Sequence, residues 1–365
     1  MKQVREVTKG HINSLSRNAK LNAGILEHYN TMTVAAVIEK QPANVVSAMK
    51  KRMERMENCN RFWTTETYEA SRVKLLLQTF LCRDKFCLNC KRVKRLVMEK
   101  RFMPHMEEYK ERLYHMTLTV PACTGKELKH LIKHMATCFK TLVNYLYGSK
   151  KITELDFSHY GFEGCIRTLE ITYKGDSYRP HYHVATVFSD LAKVDKKRIS
   201  NKFSMSDTLL FSDFEALIQR VWWLLINRQR LTRENIYADT AEDDRYSCTV
   251  DKFRPEDYLE LLGYMTKIRS EDNEYMEYEN FKTLYHALDR VRQVQGYGVF
   301  YNVKAAEDSL EFSADEYHDI AAYIAPDEQP ADPEYEPLNR LMKNNDFTIL
   351  RGKYTPRKDI IKQEI

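Results

Sequence analysis

No run of roughly 18 apolar residues occurs anywhere in this 365-residue sequence, so no transmembrane helix is expected. The opening MKQVREVTKG carries charge but leads into no apolar stretch of the kind a secretory signal requires. Internal repeats are lacking as well. With no sign of export, the eight cysteines are expected as reduced thiols or metal ligands rather than disulfides. These absences together predict a cytoplasmic protein with no membrane partner.

What is present sets the class. Hydrophobic residues make up 43% of the chain, enough for a true core, and the length leaves room for two domains or for one large domain with extensions. The net charge of +5 is compatible with a polyanionic partner without demanding one. Charge is also concentrated locally. KRVKRLVMEKR (91–101) holds six cations and one acid, a pattern that a solvated helix face would also produce.

Residues 1–55 read as a helical N-terminal extension, broken near Pro42. A cysteine-rich segment follows over 56–100. LYHMTLTVPACTG (113–125) alternates and is β-branched, which predicts a strand ending near Pro121. In KELKHLIKHMATCFKTLVNYLYG the spacing of Leu128, Leu131, Ile132, Met135, Phe139, Leu142 and Val143 predicts a helix. CIRTLEITYKG (165–175) and PHYHVATVF (180–188) form a hairpin around Gly175, with Pro180 marking the start of its second strand. DFEALIQRVWWLLINRQ (213–229) is a strongly apolar helix, RYSCTVDKF (245–253) a short strand, and EDYLELLGYMTKI (256–268) a helix opening after Pro255. This order predicts an α+β fold: a central antiparallel sheet flanked by helices. The region 276–365 includes an acidic, Pro-rich linker, PDEQPADPEYEP (326–337).

Three clusters point to chemistry. In RPHYHVAT (179–186), His181 and His183 share one face of a strand, as a bidentate donor pair requires. An isolated H-x-H is also what two locally bonded strand histidines look like. Glu170 on the partner strand adds an oxygen, giving a set of two imidazoles and one carboxylate with positions left open for substrate. Such mixed ligation suits Mn²⁺ or Mg²⁺ as a Lewis acid and would also take Zn²⁺. Thr117, Thr119 and His115 of the first strand are further candidates for the floor of this site.

In ELLGYMTK (260–267), Glu260, Tyr264 and Lys267 share one helix face. A phenol needs help to act as a nucleophile, because its pKa lies near 10. A cation polarising a phosphodiester supplies that help, a lysine steadies the phenolate or phosphate charge, and a carboxylate activates a second nucleophile such as water. Tyr258 falls on another face. An ordinary amphipathic helix carries E-x-x-x-Y without any of this.

The third cluster is FLCRDKFCLNCKR, with Cys82, Cys87 and Cys90 at C-x4-C-x2-C spacing and Cys59 upstream. Four thiolates from two chain segments predict a structural Zn²⁺ site, against the alternative of a redox or incidental pair. Cys123, Cys138, Cys165 and Cys248 read as core fillers.

YHMTLTVPACTGKEL, GCIRTLEITY, RPHYHVATVF and ELLGYMTK resemble, in this order, motifs of the rolling-circle replication initiators of small bacterial plasmids, members of the HUH (His–hydrophobic–His) endonucleases. The cysteine segment resembles the one seen in that family. The resemblance covers roughly residues 56–270. One departure is Gly263, where the family often has lysine. The resemblance implies a divalent ion held by His181, His183 and Glu170. It implies attack by Tyr264 on single-stranded, hairpin-extruded origin DNA, giving a 5′-phosphotyrosine and a 3′-hydroxyl primer. Glu260 matches the glutamate that promotes terminating cleavage by water. The catalytic domain would then be 101–275, and a host helicase and polymerase are further candidate partners. Two other classes stay open: a relaxase or transposase of the same superfamily, and a non-catalytic zinc-containing DNA-binding regulator.

Overall fold

The computed structural model of the protein describes residues 9–59, 62–68, 73–79, 81–189, 194, 197–199, 210–238, 248–253, 268–270, 276–301, 303 and 348–351. The architecture is a mixture of helices and a largely antiparallel sheet. The chain divides into two compact units, Met1–Leu96 with Glu307–Ile365, and Val97–Ala306.

In the first unit, α1 (Lys9–Ile38) and α2 (Ala43–Glu57) pack together, with Pro42 at the N-cap of α2. Proline suits this position because a helix leaves its first N–H groups unbonded in any case. A hairpin of β1 (Phe62–Tyr68) and β2 (Val73–Thr79) follows. Sequence inspection, drawn to the cysteines of 56–100, did not anticipate it. Helix α3 (Leu88–Glu108) begins inside the cysteine segment and contains the whole of the basic run 91–101.

The second unit is built on the hairpin of β5 (Phe162–Lys174) and β6 (Ser177–Phe188). Its loop is only two residues, and the first, Gly175, has φ 54°, the left-handed value that a tight hairpin turn asks of glycine. So short a loop dictates the register, pairing Glu170 with His181 and Thr168 with His183. On its other side β6 pairs with β3 (Leu113–Leu118) and with the two-residue β4 (Cys123–Thr124); β3 in turn pairs with β9 (Cys248–Lys252). The outer edge of β5 is covered by β11 (Val294–Gly298), antiparallel, and by β10 (Ile268–Ser270), parallel. A separate small ribbon joins β7 (Lys197–Ile199) to β8 (Leu210–Ser212).

Two details differ from the sequence expectations. Pro180 lies inside β6 rather than at its start, opposite Ile171. Residues 179–181 pair with β5 alone, between the stretches that meet β4 and β3, so a missing N–H is tolerated there. Ile268, expected as the end of a helix, begins β10. The rest of that expected helix, 256–267, lies outside the described residues.

One face of the sheet is largely apolar and packs against helices, with Arg167 and Thr186 buried among its apolar side chains. Tyr182 packs its ring against Phe139 of α4 (Gly125–Leu146) and Trp222 of α5 (Asp213–Ile226). Burying each such ring stabilises the fold by roughly 1.5–3 kcal/mol. Both helices open with capping boxes, Thr124 with Glu127 and Ser212 with Glu215. Glu215 also accepts a bond from the backbone N–H of Val250, tying the start of α5 to β9. The last helix in this unit, Tyr278–Ala287, packs on α4.

Candidate functional site

The opposite face of the sheet changes character along each strand. At one end Leu113, Ile166, Ala185 and Val187 join Phe102, Met106 and Phe300 in a buried cluster. Alternation then brings polar residues onto the same face: His115 and Thr117 on β3, Thr168 and Glu170 on β5, His183, His181 and exposed Arg179 on β6. A single apolar-to-polar gradient therefore seats chemistry beside a rigid core.

At its centre three side chains converge. Glu170 Oε2 lies 2.8 Å from His181 Nε2 and 3.0 Å from His183 Nε2. Glu170 and His183 are buried and His181 is half-buried. A carboxylate oxygen and two imidazole lone pairs repel at this range unless positive charge sits between them. Either protons on both rings or one metal ion meets that need. With ligand bonds of roughly 2.1 Å, cis positions around an octahedral ion stand about 3.0 Å apart, close to these separations. Glu170, His181 and His183 could therefore hold a metal ion.

The outer nitrogens of the two rings are also engaged. His181 Nδ1 is 3.1 Å from the backbone carbonyl of Arg179. His183 Nδ1 is 3.2 Å from His115 Nε2, and these two rings meet edge to edge, their centroids 5.3 Å apart and their planes 26° from parallel. Thr168 donates its hydroxyl to the carbonyl of His183. Of the residues expected to floor the site, His115 touches it directly. Thr117 stands opposite His183 in the ladder, and the carbonyl of Thr119 receives the Trp222 indole N–H. Tyr264, Glu260 and Lys267 lie outside the described residues.

In the first unit Cys59, Cys82, Cys87 and Cys90 gather into one buried cluster that could also hold a metal ion. The Cys59–Cys90, Cys82–Cys90 and Cys59–Cys87 sulfurs are each 3.5 Å apart. Sulfurs around a tetrahedral ion with bonds of roughly 2.3 Å stand about 3.8 Å apart, so the cluster is nearly the size such an ion needs. Backbone N–H groups of Cys82, Arg83 and Asp84 point at the sulfurs of Cys59, Cys90 and Cys82, as around thiolates. Arg83 takes the left-handed φ of 62° within this turn. Hydrogen bonds from the Cys59, Cys82 and Cys90 thiols hold Cys87 well below the usual thiol range, while bonds with Cys82, Cys87 and Cys90 push Cys59 well above it.

Sequence inspection missed the groups that support this cluster. Asn22 of α1 donates to Cys87 Sγ at 3.5 Å and accepts from Leu88 N at 2.9 Å. Buried Tyr29 donates to Asp84 at 2.8 Å; burial first, then the Asp84 carboxylate, raises its phenol and keeps the proton in place. Asp84 in turn accepts from Phe86 N, closing the turn. No local spacing signals Asn22, which lies 65 residues before Cys87.

Against known proteins, residues 73–196 of the 365 match a family described as replication protein. The matched span includes Cys82, Cys87 and Cys90, the β5–β6 hairpin, and with it Glu170, His181 and His183. No curated protein and no solved structure matches the chain. Among the described residues no helix is long and apolar enough to cross a membrane.

Proposed function

We propose that the protein is a plasmid replication initiator that nicks and rejoins single-stranded origin DNA, with Tyr264 as nucleophile. The observation that carries this reading is the convergence of Glu170, His181 and His183 on one point of the sheet, inside the segment similar to the replication protein family. A divalent ion such as Mn²⁺ or Mg²⁺, when bound by these three side chains, supplies Lewis-acid polarisation of the scissile phosphodiester.

The chain's own residues account for the rest. The Tyr264 phenol gives up its proton to solvent, its oxygen bonds to phosphorus, and the bond to the 3′ oxygen breaks, that oxygen taking up a proton from solvent. The products are a 5′-phosphotyrosine and a free 3′-hydroxyl that primes synthesis. Lys267 steadies the phenolate, and Glu260 later activates water for hydrolytic termination. Arg179, exposed one strand step beyond His181, contributes a cation for the neighbouring phosphates. Connectivity supports Tyr264 in this role. Only three residues separate it from Ile268, a span of four residue steps and at most about 14 Å of extended chain. Ile268 pairs with Ile171, the residue after Glu170. The cysteine cluster serves as a structural Zn²⁺ site supporting α1 and the start of α3.

The test is covalent capture. Single-stranded oligonucleotides tiling the DNA around the gene are incubated with the full chain and Mn²⁺, then denatured. A protein–DNA adduct is expected, lost in Tyr264→Phe and retained in Tyr258→Phe. Glu260→Ala is expected to form the adduct but fail to release it with water. An adduct that survives Tyr264→Phe would sink this assignment.

A further inference from the structure

We infer that His115 is the positioning residue that prepares His183 to bind a metal, by accepting a hydrogen bond from its Nδ1–H. This rests on the reading of Glu170, His181 and His183 as a metal site.

The argument concerns where each imidazole keeps its single proton. To offer a lone pair from Nε2, a neutral histidine must carry the proton on Nδ1, and the partner of Nδ1 decides whether it does. For His181 the partner is the carbonyl of Arg179, which can only accept. That proton is therefore held on Nδ1 and Nε2 is left free for coordination. For His183 the partner at 3.2 Å is a side chain, His115 Nε2. It matches the carbonyl's role only if His115 carries its own proton on Nδ1 and accepts at Nε2.

The surroundings hold His115 in place for this. Its ring plane lies 26° from that of His183, as an in-plane hydrogen bond between two imidazoles requires, and Phe253 packs edge-on against it with centroids 6.0 Å apart. In the β3–β9 ladder it stands opposite Asp251. Two ligand histidines are thus oriented by two different acceptors. One belongs to the backbone; the other is a side chain that can be exchanged.

That difference makes the test clean. Mn²⁺, a hard ion that disfavours the thiolate cluster, is titrated into the full chain and its affinity measured by calorimetry. His115→Phe keeps an aromatic ring but cannot accept, and is expected to weaken Mn²⁺ binding by about 10–100-fold. His115→Gln restores an acceptor oxygen and is expected within about threefold of the unaltered chain, since the lost contact is replaced. Equal binding by His115→Phe and the unaltered chain overturns the inference, as does a His115→Gln affinity as poor as that of His115→Phe. His181→Ala is the control. If it binds like the unaltered chain, the metal-site reading itself falls and this inference falls with it. Should His115→Phe not fold, long-range ¹H–¹⁵N spectra of the unaltered chain with Mg²⁺ decide. Protonated Nδ1 on His183 is expected, and protonated Nε2 overturns the inference.

Discussion

Glu170 and His181 face each other across the β5–β6 ladder, and the carboxylate Oε2 lies 2.8 Å from the imidazole Nε2. The two-residue loop at Gly175 enforces this pairing, because a register slip by one residue would send the imidazole to the other face. Glu170→Gln keeps the size of the side chain and its place in the ladder but removes the negative charge that a cation needs. Mn²⁺ affinity is expected to fall by at least the roughly 10–100-fold that loss of an outer partner costs. Calorimetric titration checks this, and an unchanged dissociation constant would remove Glu170 from the site.

The cysteine cluster makes a second prediction. Asn22 and three backbone N–H groups brace the cluster's sulfurs, Asn22 through Cys87. Cys87→Ser puts a poor ligand at that point. Bound Zn²⁺, measured by elemental analysis of the purified full chain, is expected to drop sharply. Proteolysis within α1 is expected to accelerate, because Asn22 loses its anchor. Zinc content equal to that of the unaltered chain would rule out the cluster as a zinc site.

These two clusters were legible from sequence to different degrees. His181 and His183 share a face by simple alternation, and the tight turn at Gly175 brings Glu170 opposite within a single hairpin. The helical spacing of α4 and α5 was equally plain, since Leu128, Ile132, Met135, Phe139 and Leu142 recur on one buried stripe. His115 was harder to read. Its contact with His183 depends on β3 pairing with β6 across 68 residues, and no local spacing encodes that register. The β1–β2 hairpin went unseen because its residues lie between cysteines that drew the reading toward a metal knuckle.

Arg167 leads to a prediction about stability rather than chemistry. It lies on the helix-packed face of β5, 3% exposed, with its guanidinium 4.5 Å from the Tyr182 ring centroid and 5.5 Å from that of Phe139. It donates to the Tyr182 hydroxyl and to the carbonyl of Arg292, each at 3.1 Å. Burial pushes the Tyr182 phenol up to about 12, so at neutral pH its oxygen accepts as a neutral hydroxyl. Arg167→Met fills the same space with an unbranched chain but supplies neither charge nor donors. The losses are a desolvated cation–π contact, a buried donor to the Tyr182 hydroxyl and a part-buried donor to the Arg292 carbonyl, partly offset because a charge no longer has to be desolvated. A net destabilisation of about 2–4 kcal/mol is expected, read as a lower urea midpoint at constant slope. Because Arg167 points away from Glu170 and the histidines, Mn²⁺ affinity should stay within about threefold, as for independent sites. An unchanged or higher urea midpoint would mean that desolvating the guanidinium costs more than its rings and acceptors return.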